Sequence, residues 1–318
     1  MLWLTWRQHR THVLFAVLAL AALAAVLVPT GRQMHRVFVD SGLSGCLDAM
    51  SRAEFVPEDA TDCGAGRFAD RYGLFGTVAI VFAVLPLLVG MFFGAPLVAR
   101  EVEHGTHRLV WTQGTTRLRW AAVKLSLVGT VTLALAVAYA ELVSWWLTPL
   151  ARAGASRFSS LTFDVVGVVP IGYTVFAVAA GIAAGTVWRR MVPAMAATLV
   201  AFLATRVAVA VARPHFLPVR ERRFPVVTDT RPNALLGDWL LDYGLYAPDG
   251  HKLRRVYRAS CAPAATESCP YLPGSYNLHT YQPADRFWLF QHIEAGIFAA
   301  LAVVLLALAV HRIRRRIA

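Results

Sequence analysis

The chain has 318 residues, of which 57% are hydrophobic and only 16% charged. Soluble domains carry about 25% charged residues, so a water-soluble globule is excluded, and a chain this apolar has too much surface to bury to remain disordered. The formal net charge of +12, from 31 Lys+Arg against 19 Asp+Glu, suits either nucleic acid or an anionic membrane surface. The positions of the charges favour the membrane and leave no role for nucleic acid.

In chain order, the first ten residues, MLWLTWRQHR, place Trp3 and Trp6 three apart and Arg7 and Arg10 three apart. This spacing predicts an interfacial helix over residues 1–12, with its aromatic face among acyl chains and its basic face toward phosphates. An unstructured basic start that only orients the next helix fits the same residues. A bilayer core about 30 Å thick requires roughly 20 apolar residues per helix, and six stretches qualify. Arg10 and Arg32 bracket 21 uncharged residues, Arg71 and Arg100 bracket 28, and Asp164 and Arg189 bracket 24. Lys124 to Arg152 brackets 27 residues with Glu141 inside, Arg190 to Arg213 brackets 22 with Arg206 inside, and Glu294 to Arg312 brackets 17. The first span is read as retained, because the run Val13–Val28 is long for a signal peptide and no A-x-A cleavage site follows it.

An even number of spans puts both termini on one side. Thirteen basic residues lie before span one, between spans two and three, between four and five and after span six, against only Glu101 and Glu103. By the positive-inside rule these connections and both termini are cytoplasmic. All four cysteines then fall on the opposite, oxidising side: Cys46 and Cys63 in the first outer loop, Cys261 and Cys269 in the last. Two disulfides are expected, with local pairing Cys46–Cys63 and Cys261–Cys269 preferred among the three possible connectivities. The expected fold class is therefore an all-α polytopic membrane protein with six transmembrane helices, cytoplasmic termini and disulfide-stabilised outer segments. Residues 13–212 hold spans one to five, 213–290 an extracytoplasmic segment, and 291–318 the sixth span with a basic tail.

Within span two, Pro86 predicts a bend. Gly90 and Gly94, with Ala177, Gly181 and Gly185 of span four, form small-residue ridges for close helix packing, equally usable within the chain or between two chains. The connection over residues 100–123 is punctuated by Gly105, which can end a helix, and Thr106, which can cap the next. Gly114 stops that short helix, and Thr115 or Thr116 can cap the one leading into span three. The helix between them, His107 to Gln113, exposes Leu109, Val110 and Trp111, which a partner's groove can grip. Arg117, Trp120 and Lys124 follow on one helix face as a headgroup anchor. His104 and His107, lacking a second cluster, are not taken as a metal site.

Glu141 and Arg206 each lie six residues inside the outer end of their spans, about 9 Å deep. An ion pair between them across spans three and five is one expectation, since a lone intramembrane charge is costly. Separate snorkelling toward the outer interface near Trp145 and Trp146 is the other. In the outer segment, PNALLGDWLLDYG (Pro232–Gly244) sets Leu235, Leu236, Trp239, Leu240 and Tyr243 to one side of an amphipathic helix. From Pro283 a single helix is expected through an aromatic belt of Phe287, Trp288 and Phe290 into span six.

The run Arg100-Glu101-Val102-Glu103-His104-Gly105-Thr106, followed by Arg117 and Lys124, resembles the E-x-E-x-G-T segment of ABC-2 type transporter permeases, the membrane subunits of ATP-driven exporters. The stretch YQPADRFWLFQHIEAGIF (Tyr281–Phe298) is similar to the approach to the last helix in a subgroup of these permeases from high-GC bacteria. The resemblance departs in lacking a proline near Thr115 and in its long outer segment. It implies a subunit of the bacterial cell membrane in which Glu101, Glu103, Gly105, Thr106, His107, Arg108, Leu109 and Trp111 couple to a separate ABC ATP-binding subunit. It also implies a second permease chain, identical or not, and membrane lipid as partners. No cofactor is expected to bind directly: a Walker A loop needs Gly-Lys-Ser/Thr, and neither Lys124 nor Lys252 follows glycine, so ATP acts through the partner. A membrane enzyme is disfavoured, since H-E-x-x-H and G-x-S-x-G are missing. A sensor or assembly scaffold with an extracytoplasmic ligand-binding segment is the alternative function.

Overall fold

The computed structural model describes residues 2–52, 55–57, 63–103, 116–153, 157–188, 190–226, 230–232, 237–259 and 271–315. Six of its helical segments are long and apolar enough to cross a membrane: Val13–Asp40, Ala65–Arg100, Leu118–Arg152, Val169–Val187, Met191–His215 and Ala284–Arg315. These are the six stretches that the charge spacing picks out.

Helix α1 runs unbroken over Leu2–Asp40. The stretch over residues 1–12 thus runs without a break into the span that begins at Val13, because no glycine or proline precedes Pro29 and the Leu, Ala and Arg of this stretch all favour helix. After a left-handed Gly42 comes α2 (Leu43–Arg52). The second span is α3 (Ala65–Val89), a π-turn at Gly90–Gly94 and α4 (Ala95–Glu103). Helix α5 (Arg117–Arg152) starts where the Thr116 hydroxyl accepts the Arg119 N–H at 3.3 Å, one of the two expected caps. Short α6 (Ser160–Val165) precedes α7 (Val169–Val187), and α8 (Met191–Ala212) ends in a 3-10 turn, Arg213–His215. A second 3-10 turn, Ala284–Arg286, leads into α9 (Phe287–Arg315) as one continuous run; the expected aromatic belt is corrected, because Phe287 and Phe290 are buried in the core and Trp288 alone of the three, 52% exposed, faces outward. The alternation of spans gives the bundle a basic end, holding Arg100, Thr116, Arg190 and Arg315, and an opposite end that carries the remaining elements.

That opposite end is not helical throughout. Strands β1 (Phe55–Pro57) and β3 (Thr230–Pro232) pair antiparallel, tying the first loop to the long segment. Strands β2 (Arg220–Pro225), β4 (Trp239–Tyr246), β5 (Lys252–Arg254) and β6 (Tyr276–Gln282) form an antiparallel sheet in the order β2-β6-β4-β5. The all-α expectation is corrected here, and so is the amphipathic helix over 232–244 for its described residues, since Trp239–Gly244 lie in a strand, while Leu235 and Leu236 lie outside the described residues. Trp239, Leu241, Tyr243 and Leu245 alternate as well as their neighbours follow helical spacing, so periodicity cannot choose. Gly237, at φ +90°, breaks the helix. At Gly244 a Cβ would stand 2.6 Å from Lys252 Cε and 3.0 Å from Arg254 O, which is the closeness that lets β5 pair.

Helix α7 is the axis of the bundle: 83% of its span is buried, against 6% for that of α1. Hydrophobicity cannot draw helices together in lipid, so close backbone approach does it. A Cβ on Gly181 would meet Gly90 O at 2.5 Å and Ala95 N at 2.6 Å; one on Gly94 would meet Val178 O at 2.6 Å. The small-residue ridges therefore serve packing within the chain. Two helix-interior prolines supply a second device. Pro86 lacks the N–H that would bond Phe82 O, and the Tyr139 hydroxyl of α5 donates to that carbonyl at 2.8 Å. Pro149 likewise frees Trp145 O, which accepts His35 Nε2 of α1 at 2.9 Å. Each proline turns a missing intrahelical bond into a contact between spans.

Candidate functional site

Four charged side chains converge where α6, α8 and α9 meet at the sheet end. The Arg213 guanidinium donates from Nε to Glu294 Oε2 at 2.7 Å, and from Nη2 to Glu294 Oε1 at 2.9 Å and Asp164 Oδ1 at 2.7 Å. Arg206 donates from Nη2 to Asp164 Oδ2 at 2.6 Å and from Nη1 to Ala83 O at 3.3 Å. The Tyr173 hydroxyl of α7 stands 2.5 Å from Glu294 Oε1 and 3.0 Å from Asp164 Oδ1. Two guanidiniums and two carboxylates cancel in charge, which is what burial at such a place requires. Aromatic faces complete the shell: Arg213 lies 4.1 Å from the Phe163 ring centre and Arg206 4.8 Å from that of Tyr173. Just above, Gln291 accepts from Val169 N–H at 3.0 Å and donates to Phe163 O at 2.9 Å, locking α9 to the α6–α7 turn. The left-handed Gly167 in that turn leaves the room, since a Cβ there would come within 2.7 Å of the Gln291 oxygen.

The expected pair Glu141–Arg206 is not formed: Arg206 pairs with Asp164, and Glu141 lies on the exposed face of α5. Depth alone matched them, but rotational phase separates them. Asp164, Arg213 and Glu294 served in the sequence reading only as span boundaries. Their shared position, each the first charge at the sheet-end edge of a span, was the available signal that they could meet.

At the basic end, Glu103 Oε2 accepts the Met191 N–H at 3.0 Å. This satisfies one of the free amides at the start of α8 and places a carboxylate at its positive end. The end of span two is thereby fastened to the start of span five. Gly105, Thr106, His107, Arg108, Leu109 and Trp111 lie outside the described residues, as do the side chains of Glu101 and Arg117. Trp120 and Lys124 are turned inward, 9% and 3% exposed, with the ammonium 5.2 Å from the indole centre. The outward-facing headgroup anchor is corrected for these two, because the face they occupy packs toward the bundle.

Lys124 instead closes one end of a cavity of about 860 Å³ between α1, α3, α4 and α5. Its walls include Leu20, Leu23, Leu85, Phe93, Val131 and Leu135, and Arg100 stands with Lys124 as the charged lining. At the sheet end of the bundle, Cys46 and Cys63 lie at disulfide distance with Cα atoms 5.9 Å apart, while Cys261 and Cys269 lie outside the described residues. Outside the spans, burial pushes the Asp238 carboxyl up to about 6, although the Ala284 N–H it accepts and nearby Arg222 and Arg220 pull the other way.

No curated protein and no solved structure is significantly similar to the chain. The sequence profile of a family described as ABC-2 membrane transporter related does match, over residues 17–213, which takes in five of the six spans and the π-turn at the heart of the bundle. With six membrane-length helices packed about α7 and more than half of its length in that match, the chain belongs to the ABC-2 membrane transporter related family.

Proposed function

We propose that the protein is the permease subunit of an ATP-driven exporter of the bacterial cell membrane, with both termini and the basic end of the bundle in the cytoplasm. A separate ABC ATP-binding subunit docks on the connection between spans two and three, at Glu101, Glu103 and the segment from Gly105 to Trp111, and a second permease chain completes the pathway. The observation that carries this reading is the linkage at the basic end. Because Glu103 joins α4 to the amide start of α8, and α4 with its π-turn rests on the backbone of α7 through Gly90, Gly94, Gly181 and Gly185, a push on this connection is transmitted to three spans together. The π-turn beside Pro86 is the place for α4 to swing, since local π geometry weakens the helical ladder there.

The test is purification of the tagged chain from its native membrane. A P-loop ATPase is expected to copurify and to be lost from the Glu101→Ala/Trp111→Ala double variant. Full transport by the chain in vesicles without any ATPase overturns the reading.

A further inference from the structure

We propose that residues 255–259, which follow β5, form an acid-releasable strap over one face of the sheet, with the buried imidazole of His279 as its sensor. Two side chains of β6 hold this run from beneath. Asn277, fully buried, accepts the Ala259 N–H at 2.8 Å and donates to the Ala259 carbonyl at 2.9 Å, as a neighbouring strand would. His279, two residues on and so on the same face, is 1% exposed, and its Nε2 lies 2.6 Å from Tyr257 O. A carbonyl can only accept, so Nε2 carries the ring proton and Nδ1 is the bare nitrogen. That Nδ1 is buried and has no hydrogen-bond partner among the described residues. The closed strap thus fits the neutral ring: a second proton would put a charge and an unanswered N–H into a dry place.

Among the described residues the surroundings offer that charge no counter-ion. Strand β2 sets Arg222 opposite His279, and its Phe224 ring stands 4.9 Å from the imidazole, centre to centre. Strand β4 sets Tyr243 opposite, at 6.4 Å. The strap brings Tyr257, at 5.4 Å, together with Arg258 and with Arg255, which lies 5.3 Å from the Tyr243 ring centre; β6 itself adds Tyr281 on the same face. The carboxylates of these strands are used elsewhere. Asp242 holds Lys252 at 2.7 Å on the opposite face, Glu221 alternates with Arg222, and Asp238 accepts the Ala284 N–H at 2.7 Å. Burial accordingly holds the His279 imidazole below the ordinary histidine value of about 6.5, against the pull of its bond to Tyr257. With the strap lifted, the ring meets water and titrates normally. Above about pH 6.5 the ring is neutral in both states and the strap stays closed; below it, opening takes up a proton and becomes easier by up to about tenfold per pH unit. Release draws Val256 and Ala259 away from Val226 and Leu245, uncovering an apolar patch on the face that meets the exterior in the orientation proposed above.

The strap does not depend on the ATPase reading and is tested without it. The full-length chain in detergent is followed by hydrogen–deuterium exchange between pH 5 and 8, read by mass spectrometry and corrected for the intrinsic effect of pH on exchange. Protection of the peptide that carries Val256 to Ala259 is expected to be constant above pH 6.5 and to fall by up to about tenfold per unit below it, while peptides of β6 keep theirs. His279→Gln, whose amide can still donate to Tyr257 O but does not titrate, is expected to hold one level of protection through the whole range. Asn277→Ala, which removes the clamp on Ala259, is expected to lower protection at every pH. Asp238→Asn is expected to leave the wild-type profile at the strap unchanged, since that carboxyl answers to Ala284. The wild-type profile is decisive even where a variant misfolds. Flat protection from pH 8 to 5, an equal loss across β6, or the wild-type decline persisting in folded His279→Gln would each overturn the proposal.

Discussion

Arg213 is the residue on which the sheet end depends most, because its one guanidinium satisfies two buried carboxylates at 2.7 to 2.9 Å. Arg213→Gln is expected to destabilise the protein by about 3–5 kcal/mol, the cost of stranding a buried charge, read by thermal or denaturant unfolding in detergent. Glu294→Gln in the same chain removes part of the stranded charge, so the double variant is expected to lose less than the sum of the singles. Arg206→Gln is expected to cost less than Arg213→Gln, since Asp164 keeps Arg213. Asp238 has a separate, pH-dependent role. Its carboxyl, raised to about 6 by burial, holds in the folded state a proton that the unfolded chain has already released above about 4. The stability due to that proton is thus present below pH 4 and lost as pH rises through 6. Unfolding followed between pH 4 and 7 is expected to show this decline, and Asp238→Asn, which keeps the acceptor for Ala284 N–H, is expected to flatten it.

The elements are held by close approach, and the same glycine-to-alanine change has opposite consequences on two helices. On α7, Gly181→Ala puts a methyl against Gly90 O and Ala95 N, backbone atoms that cannot step aside, and is expected to cost about 1–3 kcal/mol as overpacking. On α5, Gly129 has no atom within 4 Å of an added Cβ, and Gly129→Ala is expected to be neutral or to stabilise by up to about 1 kcal/mol through helix propensity. Comparing the two unfolding midpoints in one detergent checks both. Tyr139→Phe tests the proline device. With the hydroxyl gone, Phe82 O lacks both its helical and its tertiary donor, and a loss of about 1 kcal/mol is expected, in the range of bonds between helices in membranes.

At the scale of the whole molecule, the bundle's two ends differ in kind. One end is basic and short-looped; the other carries a sheet bolted to the bundle, with Trp239 stacked on Phe158 at 5.5 Å and edge-on to Phe290 of α9 at 5.9 Å, and Gln282 Nε2 donating to Leu217 O at 2.7 Å. The orientation proposed above is checked by labelling. An impermeant maleimide applied to intact cells is expected to modify Asp249→Cys in the exposed turn after β4 and to spare Arg119→Cys at the start of α5, with the order reversed in inverted vesicles.

The number and limits of the spans were legible in the chain because lipid imposes a length of uninterrupted apolar helix that only six stretches meet. The Thr116 cap, the Cys46–Cys63 proximity and the continuity of the last helix from the 3-10 turn were legible for similarly local reasons. The strand at Trp239–Tyr246 was not, because its side chains satisfy both periods and only the hydrogen bonds offered by β6 choose between them. Nor were the partners of Arg206, because depth along a helix can be counted from sequence whereas the direction a side chain faces is decided by packing. Sequence alone determined what must lie in lipid and which charges lie near its edges. Tertiary structure decided which charges meet, where two helices touch backbone to backbone, and that an apolar-walled groove opens between α1 and α5, since each of these depends on helix rotation, which composition and spacing leave free.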